Sequence, residues 1–148
     1  MSNWWEKDPN REGPQFKYKD LPVFQKGLEV LQTVYTIFDL VKEDEKEENA
    51  LLKDAVRIML EDAQIALAKI AGAEGAELYG LKIENAYIIK SHARNIQATS
   101  NLLEMSEEID DSYIQLLRNQ VNDFRQAFLD WVHGFDPTND VKGEWDFH

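Results

Sequence analysis

The chain has 148 residues, 43% of them hydrophobic and 30% charged, with no cysteine and a formal net charge of −12 from 28 acids against 16 bases. One domain around one core accounts for that length, and the lack of cysteine excludes disulfides, thiolate catalysis and cysteine-ligated metals. The charge disfavours nucleic acid, whose binding depends on Lys and Arg displacing counterions, and disfavours acidic membrane surfaces for the same reason.

The start, "MSNWWEKDPNREGPQ", lacks the basic opening and apolar stretch of a signal peptide. No apolar run approaches the roughly 20 residues that cross a bilayer, so the expected location is the cytoplasm. Residues 1–19 read as an arm, 20–136 as a helical bundle and 137–148 as a tail. Asp20 is placed to cap a first helix, with Pro22 in its first turn. In that helix Phe24, Leu28, Leu31, Tyr35 and Phe38 form one apolar stripe, and Val23, Val30, Val34, Ile37 and Val41 form a second beside it. A stripe that wide predicts two neighbours, one of which is expected in another subunit.

"KEDEKEEN" interrupts the pattern as a solvated turn. A second helix follows, with Leu52, Val56, Met59, Ala63, Ala66 and Ile70 on its stripe, and "GAEGAE" is expected to reverse the chain. The third helix is predicted from near Glu77 to about Met105, on Ala86, Ile89, Ala93, Ile96, Ser100 and Leu103. "SEEIDD" then supplies a turn and acids for the start of a fourth helix, where the dipole favours them. That helix carries Tyr113, Leu117, Phe124, Phe128, Trp131 and Phe135 and closes at Gly134 and Pro137. Four long helices with short connections predict an all-α fold, an antiparallel up-down-up-down four-helix bundle.

The stretch "YKDLPVFQKGL" resembles the opening of the bacterial four-helix-bundle family of proteins encoded in ribosomal RNA intervening sequences, aromatic-x-Asp-Leu-x-Val-Trp-Gln-Lys-Ala. Tyr18, Asp20, Leu21, Val23, Gln25 and Lys26 match, while Phe24 stands for the tryptophan and Gly27 for the alanine. A second family stretch, Asn-Ile-Ala-Glu-Gly, is half present: Ile70 and Ala71 fit, and Lys69 and Gly72 depart. The resemblance implies an antiparallel bundle, often a ring-like homopentamer, without established catalytic activity. Related accessory proteins of retroelements bind nucleic acid through basic surfaces, a role that the charge of −12 opposes.

Candidate sites are few. Leu81, Asn85, Ile88, His92, Asn95, Thr99 and Leu102 make a heptad-spaced stripe of mixed polarity beside the apolar one. Asn85, His92, Asn95 and Thr99 are therefore read as a hydrogen-bonded network between helices or subunits, with plain flank exposure and a ligand site as alternatives. None of His92, His133 and His148 lies three residues after a glutamate, as di-iron bundles require on two helices. No metal or cofactor is expected. Glu45 with Glu48, Glu74 with Glu77, and Glu104 with Glu107 and Asp110 have the spacing of Mg²⁺-holding pairs, as in all-α nucleotide pyrophosphohydrolases. They fall at helix ends and turns, where solvated acids are common, and no phosphate-cradling loop or nucleophile motif accompanies them. Phe24 and Leu28, from the wide stripe of the first helix, and Trp4, Trp5 and Trp145, because exposed aromatics gain by docking, are the expected subunit contacts. The expected protein is a non-enzymatic homo-oligomeric scaffold, a pentamer by resemblance, with itself and an unidentified protein as partners; a Mg²⁺-dependent pyrophosphohydrolase and a nucleic-acid accessory protein are the alternatives.

Overall fold

The computed structural model describes residues 14–147. Within them the chain is all-α: α1 (Pro22–Val41), α2 (Ala50–Gly75), α3 (Tyr79–Ser106) and α4 (Asp111–His133), with short 3₁₀ segments at Pro14–Asp20 and Glu47–Asn49. Among the described residues there is no strand, and no helix is long and apolar enough to cross a membrane.

Pro22 opens α1 where its missing N–H costs nothing, but the N-cap is Leu21 rather than Asp20. The reason lies in Tyr18, which is 3% exposed and meets the edge of Phe24 at 5.1 Å between ring centroids. Drawing that side chain into the core keeps the backbone in a 3₁₀ turn through Asp20, and the Tyr18 carbonyl receives the Leu21 N–H at 3.1 Å. Part of the expected arm thus belongs to the core.

Val23, Val30, Val34, Ile37 and Val41 are the buried stripe of α1, and Leu28, Leu31, Tyr35 and Phe38 pack half-buried against the same core. α1 lies on both α2 and α4, so both stripes find neighbours within one chain. Close approach depends on Gly27: a methyl there would lie 2.8 Å from Leu67 Cδ2 and 3.4 Å from Phe124 Cε2.

α2 runs through Gly72 to Gly75, so the reversal is made by Ala76, Glu77 and Leu78 instead of by the glycines. No described glycine has positive φ, and extended Ala76 ends the helix. Residues from beyond α4 complete this corner. The Tyr79 N–H donates to the Asn139 carbonyl (2.7 Å), the Gly80 N–H to Asp140 Oδ1 (3.1 Å), and Asn139 Nδ2 to the Glu77 carbonyl (2.8 Å). The first two bonds satisfy donors that every helix start leaves open.

Glu107 takes the left-handed conformation (φ 59°) that ends α3, Ile109 turns into the core, and Asp110 caps α4 by accepting the Ser112 N–H at 2.9 Å. Around the core α1 packs on α2 and α4, α2 on α3, and α3 on α4. Val34, Ile37, Val56, Met59, Ile70, Ile89, Leu103 and Leu117 are fully buried between them.

Candidate functional site

His92 on α3 reaches across to α2, where its Nδ1 lies 2.7 Å from Asp62 Oδ1. A carboxylate only accepts, so the shared proton sits on Nδ1. Asp62 is 4% exposed, while the side chain of His92 is 24% exposed. The other carboxylate oxygen, Oδ2, is buried without a hydrogen-bond partner, and the Tyr18 hydroxyl is in the same condition, its pKa raised by burial.

The other three residues of the polar stripe behave differently. Asn85 Nδ2 donates to the Leu81 carbonyl (3.0 Å) and Thr99 Oγ1 to the Asn95 carbonyl (2.9 Å), both within α3, and Asn95 is exposed. Of the four, His92 makes the bond to another helix. Its partner escaped the sequence reading, although an acid three residues after Met59 and four before Ala66, on the side of the apolar stripe, was a visible signal.

The Asp62–His92 contact fixes which side of each helix faces this seam. Ile58 and Ile65 stand four residues before and three after Asp62; Ile88 and Asn95 flank His92 in the same way, and such positions share a helix face. Leu51, Ile58 and Ile65 on α2 and Leu81, Ile88 and Leu102 on α3 are all exposed, and within each helix they recur at multiples of seven. A methyl on Gly72 would sit 3.9 Å from Asn85 Oδ1, which extends the seam toward the end of α2. The stripe singled out in sequence is therefore one half of an outward-facing seam, mixed apolar and polar, along two adjacent helices.

Three of the seven acids in these pairs make structural contacts. Glu104 and Asn101 Oδ1 (2.9 Å) accept from Arg118, Glu74 accepts the Trp131 indole N–H at 2.7 Å, and Asp110 is the α4 cap. Glu45 and Glu48 are exposed. Among the described residues no three His, Asp or Glu side chains converge as a metal ion would need.

Phe24, expected at a subunit contact, is 2% exposed and enclosed by its own chain; Leu28 is half-buried against the core. Trp145 is 91% exposed and Phe147 95% exposed. Trp4, Trp5 and His148 lie outside the described residues. On the far side of α3, a groove of about 280 Å³ runs between α3 and α4, floored by Ile89, Phe128 and Leu129 and rimmed by Lys90, Arg94 and Arg125.

In comparisons with known proteins, the chain matches no family model, no curated protein and no solved structure.

Proposed function

We propose that this chain is a non-enzymatic, homo-oligomeric scaffold whose helices form an antiparallel up-down-up-down bundle. Contacts between helices support the arrangement, since partner numbers fall as helix numbers rise: Gly27 near Leu67 and Tyr35 bonded to Gln64, Asp62 to His92 and Ala73 to Lys82. The oligomer rests on one observation, the exposed heptad-spaced apolar residues of the α2–α3 seam. That spacing is the one helices use against other helices, and polar residues within it can set register. A second copy suits this face electrostatically. α2 and α3 together carry six Lys and Arg and six Asp and Glu, so they are neutral in a chain of charge −12. Like-charge repulsion, which opposes self-association elsewhere on the surface, is absent there. The resemblance of "YKDLPVFQKGL" to the intervening-sequence family makes a pentamer the favoured copy number.

Light scattering on a sizing column tests the reading. The wild type elutes above monomer mass at micromolar concentration, and Ile58→Glu with Ile88→Glu, both at exposed positions, reduces it to monomer. A wild type at monomer mass throughout that range refutes it.

A further inference from the structure

The groove between α3 and α4 is unusual for so acidic a protein. The ten residues that line it include Lys90, Arg94 and Arg125 and no acid. Lys90 Nζ lies 5.8 Å from the centroid of the Tyr87 ring, and neither Arg94 nor Arg125 forms an ion pair among the described residues. With 28 acids to 16 bases in the chain, two arginines that form no ion pair among the described residues, set around an apolar floor, have the chemistry to receive an acid from outside the chain. Beneath them Phe124 and Phe128 stack at 6.3 Å between centroids, and Leu129 is exposed. The groove therefore has the chemistry to take an aromatic side chain flanked by carboxylates.

Such a segment exists in the chain. From Asp136 through Phe147 there are four acids and one lysine, and the run "GEWDF" places Glu144 and Asp146 on either side of Trp145. Its backbone leaves the fold at a fixed point, because Asn139 and Asp140 are bonded to the start of α3. Beyond that anchor the Trp145 indole is almost wholly in solvent on its own chain. Asp146 holds its Oδ2 on the Gly143 N–H at 2.5 Å, which leaves Oδ1 for a cation.

We propose that the α3–α4 groove receives residues 144–147 of a second copy, with Trp145 on the Phe128–Leu129 floor and the flanking carboxylates against Arg94 and Arg125. The proposal rests on the homo-oligomer reading and names a contact within it. Tail and groove are different patches, so their pairing is head-to-tail, the kind of contact from which a closed ring is made. Trp145 at roughly 200 Å², matched by the groove area it covers, buries about 400 Å². That is a quarter of the roughly 1,600 Å² of a standard interface, so the tail supplements the α2–α3 seam. Tryptophan and arginine are the residues in which interface energy concentrates.

The test uses the full chain and three proteins: wild type, Trp145→Ala, and Arg94→Glu with Arg125→Glu. All the altered side chains are exposed, so each variant keeps the fold. By dilution followed with light scattering, the self-dissociation constant rises about tenfold or more in either variant. At a concentration where neither variant associates alone, an equimolar mixture forms a species containing both, read by native mass spectrometry. This happens because one supplies an intact tail and the other an intact groove. An oligomeric wild type whose dissociation constant is unchanged by Trp145→Ala overturns this proposal and leaves the α2–α3 oligomer standing; a monomeric wild type overturns both. Loss of association in both variants without a mixed species means that the tail folds onto its own groove, and it overturns the second copy as occupant.

Discussion

Replacing His92 by alanine leaves a carboxylate that is 4% exposed with neither oxygen paired, since Oδ2 already lacks a partner. Losing a hydrogen bond to a charged group costs about 1.5–3 kcal/mol. The His92 side chain is 24% exposed, so alanine opens the site and water replaces part of what is lost. A cost of about 2 kcal/mol follows. Leucine fills the same space and keeps the water out without offering a donor, so His92→Leu is at least as destabilising. Asp62→Asn keeps the shape, removes the charge and lets the amide oxygen accept from Nδ1, and it costs less than about 1 kcal/mol. The assay is urea unfolding at one fixed protein concentration, because the apparent stability of an oligomer moves with concentration. With a slope of about 2 kcal/mol per molar urea, the alanine variant's midpoint falls by about 1 M. A wild-type midpoint for His92→Ala, or a greater loss in Asp62→Asn than in His92→Ala, refutes the reasoning.

At the opposite corner, Trp131→Phe keeps a ring against Phe135, 4.9 Å away, but removes the indole donor that Glu74 accepts at 2.7 Å. The loss is about 1 kcal/mol, seen calorimetrically as a melting temperature lower by about 3 °C. No shift would show that water serves Glu74 equally well. Acid sensitivity follows from three carboxyls held below the ordinary range: Asp44 by the Lys46 N–H, Asp110 by the Ser112 N–H and Asp136 by Thr138. Bonds to the charged form stabilise the fold above the unfolded carboxylate value and are lost as pH falls through the lower folded values, so melting temperature declines below about pH 4. Asp110→Asn flattens that decline, and an unchanged slope in the variant would show that the cap does not titrate with folding.

Helices and their inward faces were legible in the residue order because burial periodicity is a local property: each stripe of α2 and α3 named from spacing is buried or nearly so. The exceptions are at the ends, where distant residues intervene. Asp20 had the chemistry of a cap, but Tyr18 is held by the core, and α3 is capped by Asn139 and Asp140 from beyond α4, which no local pattern encodes. The double stripe of α1 pointed to a subunit contact; α2 and α4 of the same chain bury its valine and isoleucine face and leave Leu28, Leu31, Tyr35 and Phe38 half-buried. The mixed stripe around His92 had the reverse fate. Spacing identified the row, but only the register of α2 against α3 decided that Asp62 meets His92, that Asn85 and Thr99 turn back to their own helix, and that the remaining apolar positions face outward. Periodicity determines which residues share a face of one helix; which face is left without a neighbour depends on where the other helices go, and that is settled by packing over the whole chain.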